Sequence, residues 1–179
     1  MNKSKKKILG ISGSTKSKSS SLSILKYLKD RYSEFVELEI YSRISDLPHF
    51  NPEKEDTLPD SVIELQHLIK ESDGIIFCTP EYVFSLPGSL KNLIEWNVST
   101  ILFSCKPVAI IVAAASGKKA FESLDLILTT LECTLPDRSK LLIQGAKGKL
   151  GINEEIEDQN MIEDLNNVIL SLIETIGNN

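Results

Sequence analysis

Two short stretches carry residue types that can do chemistry. The first is Ser12-Gly13-Ser14-Thr15-Lys16-Ser17-Lys18-Ser19-Ser20-Ser21, between the apolar run at 8–11 and a helical pattern. It offers hydroxyls, two lysines and backbone N–H groups at a helix start, the combination a phosphate dianion needs. Two other phosphate motifs fail on spacing. No Gly-Lys-Ser/Thr occurs, so this is not a P-loop, and Gly10 and Gly13 do not make G-x-G-x-x-G. A hydroxyl-rich turn suits a terminal phosphate that is surrounded. The second stretch is Thr79-Pro80-Glu81-Tyr82-Val83-Phe84-Ser85-Leu86-Pro87-Gly88, after the apolar run at 74–78. Pro80 and Pro87 stiffen it, Gly88 is expected to let the chain turn into a helix, and Tyr82 and Phe84 can lie against a planar heterocycle.

Five rounds of strand then helix position these loops. Strands are expected at 8–11, 36–41, 74–79, 108–115 and 141–143. The alternation of Val36, Leu38 and Ile40 with Glu37 and Glu39 marks an edge strand, and the wholly apolar run at 108–115 a central one. Helical spacing recurs from Ser20 to Tyr32, capped by Ser19 or Ser20, and at 61–71, 88–98, 120–133 and 157–176, with Gly177 just past the last end. Strand–helix alternation gives a parallel sheet between helical layers. In the strand order 2-1-3-4-5, the crevice at the carboxyl ends lies between strands one and three. The two chemical loops follow those two strands. A third turn, Ala115-Ser116-Gly117-Lys118, would flank the same crevice. The stretch 42–60 is the longest irregular connection, and His49 and Phe50 in it are candidates to cover the ring.

The totals exclude several classes. The chain has 179 residues, enough for a single domain spanning 1–179. A net charge of −5 argues against a nucleic-acid partner. No stretch reaches the roughly 20 apolar residues of a membrane span. Three irregularly spaced cysteines, Cys78, Cys105 and Cys133, read as reduced thiols of a cytoplasmic protein, with Cys78 inert inside its strand. His49 and His67 without a C-x-x-C pair leave no structural zinc site. Lys3, Lys5, Lys6 and Lys7 read as a solvated tail.

Three stretches in order and spacing resemble the NADPH-dependent FMN reductase family, which includes azoreductases, quinone reductases and chromate reductases. They are Gly10-Ile11-Ser12-Gly13-Ser14 with the following serines; Thr79-Pro80-Glu81-Tyr82 through Ser85, Pro87-Gly88, Lys91-Asn92 and Trp96; and Ser116-Gly117. The resemblance implies a flavodoxin-like fold: a three-layer, doubly wound α/β sandwich on a five-stranded parallel sheet of order 2-1-3-4-5. It implies bound FMN, with Ser12, Ser14, Lys16, Ser19, Ser20 and Ser21 at the phosphate. Pro80, Glu81, Tyr82, Val83, Ser85, Ser116 and Gly117 would meet the ring. It further implies NADPH or NADH as co-substrate and a small-molecule electron acceptor. The assembly it implies is a homodimer or homotetramer, with the helix around Lys91 to Trp96 near the partner's flavin. Lys16 stands where arginine is common in the family, Ser21 and Val83 where asparagine is, and Lys118-Lys119-Ala120-Phe121 where many members carry glycines. The reading weighed against this enzyme is a flavodoxin-type electron carrier with no NAD(P)H activity of its own.

Overall fold

Every expected strand enters one parallel sheet, in the order β2-β1-β3-β4-β5. The computed structural model describes residues 5–54, 56–149 and 155–178. Its strands are β1 (Lys6–Ser12), β2 (Val36–Tyr41), β3 (Gly74–Thr79), β4 (Val108–Ala114) and β5 (Lys140–Gln144). Its helices are α1 (Ser20–Arg31), α2 (Asp60–Glu71), α3 (Gly88–Glu95), α4 (Lys118–Thr130) and α5 (Gln159–Asn178). The register runs Leu9 to Ile75 and Ile75 to Val108 across the sheet centre.

Burial explains each strand's composition. All six residues of β3 are buried, as are the first six of β4, because helices cover both faces of the central strands. At the edge, β2 buries Val36 and Leu38 and exposes Glu37 and Glu39. One face packs Leu25 and Leu28 of α1 with Leu165, Ile169 and Leu172 of α5. The other packs Leu65 and Ile69 of α2, Leu90 and Leu93 of α3, and Leu124 and Leu128 of α4 around Phe77. Each such side chain contributes roughly 1.5–3 kcal/mol by leaving water.

Several boundaries differ from the sequence expectation. Lys6 and Lys7 belong to β1, exposed but paired to Val36 and Glu37, and are no tail; Lys3 lies outside the described residues. The fourth helix starts at Lys118, two residues earlier than expected, because a distant side chain caps it. It stops at Thr130, short of Cys133. Gly177 does not end α5, which continues through it while Ile176 stays buried on the same stripe. Gly88 has no left-handed φ; Pro87 precedes α3 in extended geometry, and the chain reverses earlier, at Val83 and Phe84.

The connection at 42–60 is fastened to the body. Ile44 and Leu47 are buried. Asn92 accepts from Phe50 N at 2.7 Å and donates to Pro48 O at 2.9 Å, and the buried Trp96 indole donates to the same carbonyl at 2.7 Å. Phe50 stands edge-on to Trp96, with centroids 5.3 Å apart, and so does not reach the crevice. His49 lines a separate cleft beside Gly88 and Asn92. Asn92 and Trp96 thus hold this strap. Replacing Asn92 with Ala should lower unfolding stability by about 1 kcal/mol in urea titration, since the half-buried Phe50 N–H loses its acceptor while the Pro48 carbonyl keeps the Trp96 bond. A loss under about 0.5 kcal/mol, the ordinary surface range, would show that burial of Ile44 and Leu47 alone holds the strap.

Candidate functional site

The site grows from the ends of β1 and β3. Past Ser12 the pairing continues for one more bond, Gly13 N to Cys78 O at 2.8 Å. A Cβ on Gly13 would stand 2.3 Å from Thr79 Oγ1 and 2.6 Å from Thr79 Cβ, so only glycine lets the two strand ends approach this closely. The chain then opens into the serine loop. Ser19 is the N-cap of α1, with extended φ −153° and ψ 148°, and its hydroxyl accepts from Leu22 N at 3.2 Å. That leaves the first N–H groups of α1, at Ser20 and Ser21, without an acceptor inside the helix. Ser14 Oγ accepts from Lys16 N at 3.3 Å. The hydroxyls of Ser12 and Ser21 are buried with no partner, apart from the weak Cys78 thiol beside Ser21. Buried orphan hydroxyls are uncommon and mark a place where a polar ligand can bind. Cys78 itself is inert: burial pushes its thiol up to about 12.

The second loop is a two-residue hairpin. Tyr82 and Ser85 exchange both backbone bonds at 3.0 Å, and Val83 and Phe84 take φ of 50° and 55°. Positive φ at both central residues is the type I′ pattern. Without glycine it costs roughly 1–2 kcal/mol per residue. Val83 is 95% exposed and Phe84 76%, so the tip stands in solvent.

Glu81 connects this loop to the third. Its Oε1 accepts from Gly117 N at 3.0 Å, and its Oε2 from Lys119 N at 3.0 Å and Ala120 N at 3.1 Å. Gly117 sits at φ 82°, and a Cβ there would meet Leu142 Cδ1 at 2.7 Å. It therefore has neither a side chain to cap α4 nor room for one, and Glu81 supplies the cap from across the crevice.

A cavity of about 510 Å³ lies between these loops at the carboxyl end of the sheet, within the usual size of a cofactor pocket. Of the expected site residues, Ser14, Lys16, Ser19, Ser20, Ser21, Pro80, Glu81 and Tyr82 line it. Ser12, Val83, Ser85, Ser116 and Gly117 are outside its wall: Ser12 lies beneath the serine loop, Val83 and Ser85 belong to the hairpin, and Ser116 is exposed. The wall also contains Lys18 of the serine loop and Ala115 of the third turn, both in stretches the sequence singles out, and Ala113, Ala114 and residues 145–148, which sequence reasoning missed. Gly145 and Gly148, just past the last strand at the same sheet edge, were the available signal.

The donor set fits FMN. The lining combines hydroxyls, lysines and a helix start, which suit a phosphate, with Pro80, Tyr82 and three alanines, which suit an apolar ring. Residues 6–148 match the family described as NADPH-dependent FMN reductase. The chain is 30% identical to NADH-dependent flavin reductase subunit 2 of Lactobacillus johnsonii, over 97% of this chain and 94% of that protein. It is 32% identical to an NADPH azoreductase of a Bacillus species, over 70% of this chain and 68% of that protein. The solved structure of FerB, a flavoenzyme NAD(P)H:(acceptor) oxidoreductase from Paracoccus denitrificans, has the same fold. Its TM-score is 0.85 at 24% identity, covering 97% of this chain and 98% of that one. Sheet order, loop placement and matched sequence agree, and the chain belongs to the NADPH-dependent FMN reductase family.

Proposed function

We propose that this FMN-dependent NAD(P)H oxidoreductase holds its flavin in the 510 Å³ cavity, phosphate toward the start of α1 and ring toward Pro80 and Tyr82. The observation that carries this reading is one cavity whose lining joins the buried Ser21 hydroxyl, lysines and a helix start to Pro80, Tyr82 and three alanines. FMN held there would supply the redox chemistry, hydride acceptance from nicotinamide and electron delivery to a small acceptor such as a flavin, quinone, azo compound or metal oxyanion.

The chain's own groups bind and orient. Ser14, Ser19, Ser20 and Ser21 surround the phosphate with donors, Ser12 stands behind them, and Lys16 and Lys18 add point charges. Pro80, Tyr82, Ala113, Ala114 and Ala115 present a surface for the ring. Ser116 and Gly117 shape the mouth, and Val83 and Ser85 hold the hairpin that borders it. The reaction needs no protein nucleophile, in keeping with Cys78 being buried and its thiol pushed up to about 12. Among the described residues no group of three or more His, Cys, Asp or Glu can hold a metal ion.

The assembly we propose is a homodimer or homotetramer in the cytoplasm. Large apolar side chains bracket α3 in the chain: Val83 and Phe84 before it, Val98 at 55% and Ile101 at 86% exposure after it. Apolar surface of this kind is a feature of protein contacts. Cys78 and Cys133 as thiols suit a reducing compartment.

The first test is an absorbance spectrum of protein loaded with FMN and desalted. Yellow protein that bleaches anaerobically with NADPH or NADH and recolours with a quinone is the expected result. Yellow protein indifferent to both nucleotides would instead mark an electron carrier. For the phosphate end, Lys16→Ala should weaken FMN by about 1–3 kcal/mol, read by titration of the apoprotein; unchanged affinity removes Lys16 from the site. Sedimentation should show a dimer or larger under assay conditions, and full turnover by a proven monomer would exclude the shared-site assembly.

A further inference from the structure

We infer that Glu81 is a positioning residue, not a flavin ligand: its carboxylate latches the Pro80–Tyr82 wall to the start of α4 and so sets the width of the slot for the ring. This rests on the cavity being the FMN site. Both oxygens are occupied by α4, Oε1 at 3.0 Å from Gly117 N and Oε2 at 3.0 and 3.1 Å from Lys119 N and Ala120 N. These bonds span 36 to 39 residues of sequence and join the loop after β3 to the loop after β4. Nothing local can replace them, because Gly117 makes no side-chain cap and its backbone is held at φ 82° against Leu142. Each neighbour of Glu81 is fixed as well: Pro80 by its ring and Tyr82 by its two bonds to Ser85. The latch therefore pulls on a rigid wall, and a change in its length moves that wall against Ala113, Ala114 and Ala115.

The chemistry requires a carboxylate at this length. Glutamine would turn one acceptor into a donor facing an N–H group, since all three partners donate. Aspartate keeps the charge and both acceptors but is one methylene short. Its effect should be smaller than that of glutamine and in the same direction.

The experiment has two arms. In the apoprotein, hydrogen exchange of the Lys119 and Ala120 amides should accelerate at least tenfold in Glu81→Gln, with β4 amides unchanged. By titration, the Kd for FMN should rise at least tenfold in Glu81→Gln and less in Glu81→Asp. Faster exchange with an unchanged Kd would overturn the inference by reducing Glu81 to an ordinary helix cap. Unchanged exchange would overturn it by showing that the latch does not hold α4. If Glu81→Gln does not fold, Glu81→Asp is read in both arms against the same criteria, with a threefold threshold. If wild-type protein takes no FMN, the flavin reading of the cavity has failed and the inference fails with it. The exchange arm then still tells whether the latch exists, so the two failures remain distinct.

Discussion

The close approach of Gly13 to Thr79 is the constraint on which the site depends. Strand order reverses between β1 and β3, so their following loops diverge to opposite faces and open a crevice. For one ligand to touch both loops, the strand ends must stay together to the last residue. The Gly13 N to Cys78 O bond does this, and the space a Cβ would take is filled by the Thr79 side chain. Everything outward of this point follows: the serine loop lifts away to cap α1, and Pro80 starts a wall a short distance across.

The second wall is built against local preference. Val83 and Phe84 take left-handed φ although neither is glycine or asparagine, and β-branched valine is among the least suited residues for it. Strain of this kind persists only where surrounding structure over-determines it. Here the paired bonds of Tyr82 and Ser85 close the turn, Pro80 and Pro87 limit its ends, and Glu81 ties its base to α4. The strained tip is also solvent-exposed and apolar, two costs at one place. That combination is what supports the oligomer proposed above, in which the tip would be covered.

What could be read from sequence was what local spacing encodes. Apolar runs gave β3 and β4, alternation gave the edge strand β2, and helical spacing gave all five helices to within a few residues. The serine loop was legible because hydroxyls, lysines and a helix start are contiguous in the chain. Contacts between distant residues were not legible. Glu81 looks like a surface carboxylate until Gly117, 36 residues on, is beside it. The strap at 42–60 looks loose until Asn92 and Trp96 meet Pro48. The turn at Val83 and Phe84 carries none of the Asn-Gly or Gly signals by which such hairpins are recognised, so the sequence points only to Gly88, where the chain enters α3. Residues 145–148 were passed over because a glycine pair after an edge strand is common and only the folded sheet brings it to the cavity.

Charge completes the picture. The chain is acidic overall, at −5, yet the cavity wall carries Lys16, Lys18 and Lys147 against one carboxylate, Glu81. That carboxylate faces three N–H groups at the positive end of α4, so the helix offsets its field. Glu81 therefore ties the two loops together with its charge offset by the helix it caps. An alanine in its place would lose the latch and leave the N–H groups at the α4 start without their acceptor, beside the cavity. The carboxylate thus serves geometry and electrostatics together: it ties the two loops to each other, and it occupies the N–H groups at the start of α4 while those of Ser20 and Ser21 at the start of α1 face the cavity.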